Sequence, residues 1–354
     1  MPGCRNVVVG VLLAGLTACS SIGPTTIPRD RFDYSGALAT SWKNQLLLNI
    51  VKTRYLDLPI YLEVGQIVGG YSMETEFTAR GQVAEGGGGD TFLGMGGRRT
   101  YTDRPTITYT PLTGERFLKS FLTPLHPAKV LTLVQSGFAA DFVLELTGES
   151  LNGLHNRPVA IDRQSSADPD FFHALALLRQ IQAAGAVGLR LDYTDPDHPT
   201  TLVSFLPDRR SPDVLTQIEQ LRGLLGLAAD LSEFRLVQSP LPGGPGELAI
   251  ATRSVAQITA ALAQDVEVPP THVQRRLAPV VALQTAAEPS LLHVLSGSAK
   301  PEDAFVAVSY EGEWFWVAND DWRSKRTIFS MLFLFTLADA GGPDQMPVLT
   351  IPTQ

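Results

Sequence analysis

The densest group of side chains able to do chemistry is Asp192-Tyr193-Thr194-Asp195-Pro196-Asp197-His198. Carboxylates spaced like Asp195 and Asp197 can hold a hard cation, and His198 can move a proton near neutral pH. The same residue types are ordinary turn formers between two strand-like runs, and no glycine completes a calcium loop. A turn is therefore the expected role, with Asp195, Asp197 and His198 as weak metal candidates. The remaining histidines are scattered: His126 beside Pro127, His173 on a helix, and His155, His272 and His293 in segments without clear pattern. There is no His-Glu-x-x-His, no Gly-x-Ser-x-Gly, no Walker A loop and no Gly-x-Gly-x-x-Gly after a strand. The glycine-rich stretch around Gly86 lacks the Lys-Ser/Thr ending and the following helix that phosphate binding needs. Trp314, Phe315, Trp316 and Trp322 form the densest aromatic group. Trp314, Trp316 and Trp322 are the candidate partner surface, although alternation puts Trp314 and Trp316 on one side, as a core would. No cofactor is implied, and the reading leans away from an enzyme.

Cysteine is the other reactive side chain, and the chain has two, Cys4 and Cys19. Arg5 precedes an uncharged apolar run from Val7 to Leu16, the length of a signal-peptide core and too short to span a bilayer. The run ends in Leu16-Thr17-Ala18-Cys19, which resembles the bacterial lipobox. That resemblance implies cleavage of residues 1–18 and acylation of Cys19 on its sulfur and its new amine. Several acyl chains, at about 0.8 kcal/mol per buried methylene, would hold the body firmly to a membrane. Ser20, where inner-membrane lipoproteins often carry Asp, favours the outer membrane with the body facing the periplasm. Residues 19–32, with Pro24 and Pro28, read as a tether. No thiol then remains in the body for a disulfide, a thiolate metal site or a nucleophile.

Removal of residues 1–18 leaves 336 of 354, enough for a substantial core and two domains. The composition, 44% hydrophobic and 18% charged, is that of a globular chain. Loss of Arg5 takes the formal charge from −8 to −9. An acidic chain without a Lys/Arg tract is a poor partner for nucleic acid.

The elements that must position these residues alternate between hairpins and helices. Tyr34 to Tyr55 has helical periodicity, capped by Asp33 or Ser35 and ended by Leu58-Pro59. Tyr71 to Arg80 alternates, with Tyr71, Met73, Thr75, Phe77 and Ala79 on one face and Ser72, Glu74, Glu76, Thr78 and Arg80 on the other. With Arg99 to Thr110 it should form a long hairpin with a glycine-rich tip. Helices are expected over 113–122, 127–135 and 139–146, and another from Asp168 or Asp170 to Ala184. The polar stretch 156–169 is the expected linker between an N-terminal region, 33–155, and a C-terminal region, 170–354.

The C-terminal region reads as three hairpin–helix (ββα) units. They are 187–193/201–206 with helix 211–225, 233–238/247–252 with helix 254–263, and 304–310/314–318 with helix 324–337. Each helix opens on an Arg-Ser pair, Arg210-Ser211, Arg253-Ser254 and Arg323-Ser324, whose serine suits an N-cap. The run Ile328 to Leu337 (IFSMLFLFTL) is too short for a membrane and reads as a buried core helix. A strand is expected near 291–296 and an edge strand over 347–352. The fold class is α+β.

The runs Arg31–Tyr71 (RFDYSGAL…SWKNQLLLNIVKTRYLDLPIYLEVGQIVGGY), Thr106–Gly114 (TITYTPLTG) and Ala304–Phe335 are similar to a family of proteobacterial lipoproteins without an assigned activity. The resemblance implies an envelope location and no catalytic residue. The expected function is a lipid-anchored, non-catalytic binding or scaffolding accessory of an envelope assembly, with an envelope protein as partner. The alternatives are an envelope-acting enzyme without a linear motif, or an oligomer whose hairpins join into a pore.

Overall fold

A computed structural model describes residues 22–68, 71–82, 92–103, 106–159, 167–192, 200–206, 212–279 and 290–338. Cys19, the tip 83–91, the cluster 193–199, Arg210-Ser211 and the strand expected at 347–352 lie outside them. The architecture is α+β, as its sequence pattern requires. The chain divides into two compact units, Met1–Trp42 with Tyr61–Leu112, and Lys43–Ile60 with Thr113–Gln354.

Helix α1 runs from Ile22 to Arg54. Helix therefore replaces the expected tether from residue 22 onward. Pro24 falls in the first turn, where its missing N–H has no intrahelical acceptor, and Pro28 forgoes one bond farther in. Ser35 is no cap, since its hydroxyl donates back to the Arg31 carbonyl at 2.6 Å.

In the first unit, strands β1 (Leu62–Val68), β2 (Tyr71–Gln82), β3 (Phe92–Asp103) and β4 (Thr106–Pro111) pair as β1 with β4 and β2 with β3, both antiparallel.

The second unit opens with residues 43–54 of α1. Leu47, Ile50 and Val51 are fully buried, and the Asn49 amide exchanges two hydrogen bonds with the Ile60 backbone, at 2.8 and 3.0 Å. Helices α2 (Gly114–Leu122), α3 (Pro127–Gln135) and α4 (Ala140–Thr147) follow, then strands β5 (Gly148–Leu151) and β6 (Leu154–His155). Next come α5 (Pro169–Ala183), β7 (Val187–Asp192), β8 (Thr200–Phe205), α6 (Pro212–Leu225), β9 (Glu233–Val237) and β10 (Glu247–Thr252). These six strands form one sheet in the order β6-β5-β10-β9-β8-β7.

That sheet corrects two expectations. Residues 156–169 are not a domain boundary, because β5 before them pairs with β10 after them. Secondly, β9 and β10 are not a hairpin but parallel neighbours, with Arg235 opposite Glu247 and Val237 opposite Ala249. The nine-residue connection 238–246 is long enough to return along a short strand without a helix. It holds Pro240, Pro242 and Pro245 among Gly243, Gly244 and Gly246. A Cβ on Gly243 would lie 2.9 Å from that of Glu247, so the return is tight against β10. The three-unit ββα repeat therefore fails at its middle member.

Helix α7 (Val255–Ala263) begins as expected, on Ser254. The Ser254 hydroxyl accepts from Gln257 N at 3.2 Å and Gln257 Oε1 accepts from Ser254 N at 2.8 Å, a complete capping box. Because Ser254 is 1% exposed, water cannot substitute for it. Ser254→Ala should cost about 1–2 kcal/mol, read as a midpoint shift in chemical denaturation with unchanged slope.

After α8 (Pro270–Gln274), strands β11 (Leu295–Gly297), β12 (Ala304–Tyr310) and β13 (Glu313–Ala318) form a second sheet, ordered β11-β13-β12. Its hairpin turns on Glu311 and Gly312, with φ of +51° and +85°, the two-residue geometry that matches strand twist.

The last helix, α9 (Trp322–Ala338), starts two residues before Ser324. Its cap is Asp321, whose carboxylate accepts from Ser324 N at 3.0 Å and from the Ser324 hydroxyl at 2.5 Å. Nor is the helix buried all round. Ile328, Met331 and Leu334 are buried, while Phe329, Leu332 and Phe333 are exposed by 55%, 47% and 37%.

Candidate functional site

The feature of the first unit that a lone chain in water does not need is its long strand pair. From Gln66 opposite Thr108 to Val68 opposite Thr106, and again from Tyr71 opposite Asp103 to Gln82 opposite Phe92, the register is the same. Between Val64 and Gln66 it shifts at a bulge. The bulge sets Leu62, Val64 and Ile67 opposite Pro111, Tyr109 and Ile107, and Glu63, Gln66 and Val68 opposite three threonines. Directly opposite residues share a face, so one face of β1/β4 is apolar and the other is polar except at Val68. The apolar face is open to solvent: Leu62 is 40% exposed, Ile107 39% and Tyr109 56%.

Along β2/β3 the register runs on without a shift, and Glu74, Glu76 and Thr78 share a face with Gly96, Arg98 and Thr100, all exposed and all polar, charged or glycine. Among the described residues, β2 pairs with β3 alone and β1 with β4 alone, so both outer edges carry unpaired backbone groups. An isolated two-stranded pair is at best marginally stable in water, and an open apolar face beside open edges leaves room for further strands or side chains to pack there.

In the second unit several groups able to do chemistry are held in structural contacts. The Tyr55 hydroxyl lies 2.7 Å from His272 Nδ1, with both residues buried and the Tyr55 ring edge-on to Tyr310 and Phe315. Burial pushes the Tyr55 phenol above its ordinary range. Burial, then a hydrogen bond to Asp57 at 3.1 Å, pushes Tyr310 up to about 12. Asp57 is held low by the Leu58 N–H and by Lys52. These rings cement α1 to the second sheet.

A cavity of about 240 Å³ lies between the six-stranded sheet and helices α3, α4 and α5, lined by Leu131, Leu144, Leu178, Val203, Leu248 and Ile250 among others. Its Gln182 amide is already taken, accepting from Ala140 N and donating to the Val134 and Phe138 carbonyls. A smaller polar cleft holds His126 and Arg235. There His126 accepts from Ala128 N to cap α3, and Arg235 pairs with Glu247.

The Arg-Ser pairs prove informative in an unexpected way. Arg253 is 2% exposed and donates to the carbonyls of Glu145, Leu146 and Arg157. Arg323 grips the Glu145 carboxylate with one nitrogen 3.1 Å from each oxygen and donates to the Ser290 carbonyl. Both described arginines thus hold the C-terminal end of α4, where positive charge suits the helix dipole.

Asp195, Asp197 and His198 lie outside the described residues, and no three potential metal ligands come together among the described ones. Trp314 and Trp316 are half-buried on β13, whereas Trp322 is 67% exposed at the start of α9, with the Arg326 guanidinium 5.2 Å from its ring. No described helix is long and apolar enough to cross a membrane. Compared with protein-family models, curated proteins and solved structures, the chain matches none.

Proposed function

We propose that this chain is a lipid-anchored lipoprotein on the periplasmic face of the bacterial outer membrane, serving as a non-catalytic binding or scaffolding component of an envelope assembly. The observation that carries the binding role is the strand pair of β1 and β4, amphipathic with an exposed apolar face, continued in the same register by the long pair β2/β3. The lipobox-like sequence ending in Cys19 supports the anchor. Trp322 and the exposed Phe329, Leu332 and Phe333 of α9 offer a second apolar contact face, with Trp314 and Trp316 in the neighbouring sheet.

Labelled palmitate should enter the wild-type chain and not Cys19→Ala, and the variant should leave the membrane fraction. Crosslinking in living cells should capture an envelope assembly through the wild type and much less of it through Cys19→Ala. A Cys19→Ala chain that stays in the outer membrane and captures the same partners would overturn the anchor.

A further inference from the structure

We infer that the occupant of the open strand edges is a second copy of this chain, with the β2 edge of one copy pairing with the β3 edge of the next. The inference rests on the strand pair being the contact element. Strands that must avoid such pairing are kept short or carry charges, bulges or proline. Here β2 and β3 run through twelve uninterrupted pairs with no bulge and no proline. The charges then choose the arrangement. The middle of β2 is acidic, with Glu74 and Glu76, and the middle of β3 is basic, with Arg98 and Arg99 at matching heights. Arg80 and Asp103 lie toward opposite ends of the pair.

Pairing β2 with β2 would set glutamates against glutamates, and pairing β3 with β3 would set arginines against arginines. Only β2 against β3 brings acid to base, with the two strands antiparallel if all copies point the same way. Such a contact is head-to-tail, so each copy offers one edge of each kind and the array closes into a ring if its rotation permits. The inference concerns the edges alone.

The test uses the full chain in mild detergent, with mass measured by light scattering across a concentration series. The wild type should form a discrete oligomer. Glu74→Lys with Glu76→Lys in one variant, and Arg98→Glu with Arg99→Glu in another, should each weaken self-association about tenfold or more. Mixing the two variants should restore association, because every β2–β3 junction between unlike copies is again complementary. The pairing within each strand pair is not repaired by mixing, so recovery reports contact between copies rather than folding. Equal circular dichroism of all three chains shows that the variants fold. A wild type that stays monomeric, an oligomer indifferent to both reversals, or a mixture that fails to recover would each overturn the inference. A monomer that still captures an envelope protein in cells would leave the scaffolding role standing.

Discussion

Arg253→Ala should lower the unfolding free energy of the second unit by about 3–5 kcal/mol, among the largest losses available to a single substitution in this protein. The guanidinium is 2% exposed, and burial brings its pKa down only to about 10, so it remains charged at neutral pH. Its removal leaves the carbonyls of Glu145, Leu146 and Arg157 facing a vacancy. Lysine should rescue little, since one ammonium cannot span carbonyls that a planar fork reaches from two sides. Urea denaturation of wild type, Arg253→Ala and Arg253→Lys measures this directly. A loss below about 1 kcal/mol would show that Arg253 is replaceable filling.

The second large effect concerns Glu145 and Arg323. Arg323→Met should cost about 3–5 kcal/mol, because it leaves the largely buried Glu145 carboxylate of α4 without the guanidinium that reaches both its oxygens. Replacing both by Met should return most of that loss, since well-packed apolar side chains often match or exceed a buried ion pair. A double-mutant cycle separates the pair's coupling from the cost of the orphaned charge. The pH dependence has a defined sign. Burial, acting against the pull of Arg323 and Arg157, raises the Glu145 carboxyl above its ordinary value. Between the unfolded value and that raised one the folded chain holds more protons, so this group's contribution to stability grows as pH falls and is lost as pH rises. Glu145→Gln should abolish that component while leaving the other carboxylates' acid denaturation in place.

Much of the fold is legible in the sequence where a local signal sets it. Helix α3 starts at Pro127 and α7 at Val255 behind Ser254, as a first-turn proline and a cap require. The hairpin β12/β13 follows from alternation around Glu311-Gly312. Where a distant partner decides, the signal is missing. Adjacent strands default to a hairpin, and nothing in Glu233–Val237 tells it to lie parallel to β10. Strand β1 hides because Gly65 and its bulge break the alternation of Leu62-Glu63-Val64 before Ile67. The run IFSMLFLFTL cannot say which side is wet, because nearly every side is apolar. The inserted first unit carries no compositional mark at either 61 or 112, where Leu112 N simply bonds the Tyr61 carbonyl at 2.9 Å.

The candidate site was half visible. Alternation over Tyr71–Arg80 marked an amphipathic strand, but the sequence could not show that its outer edge meets nothing within the described chain. The Arg-Ser pairs read as helix starts. Their arginines instead serve α4, with partners 108 and 178 residues away.

The placement of β10 beside β5 also orders events in time. Asn152, at the end of β5, exchanges hydrogen bonds with Ala249, 97 residues later, and α1 reaches Phe305 through Lys43 across 262 residues. Strand β5 therefore lacks this neighbour until residues 247–252 have been made, although α3 and α4 can already pack on α5. Contacts so far apart in sequence make folding slow. For a chain exported as we propose, that delay is useful, because a polypeptide has to cross the inner membrane before its sheet shuts. Bringing β5 and β10 close in sequence by circular permutation would speed closure and work against passage.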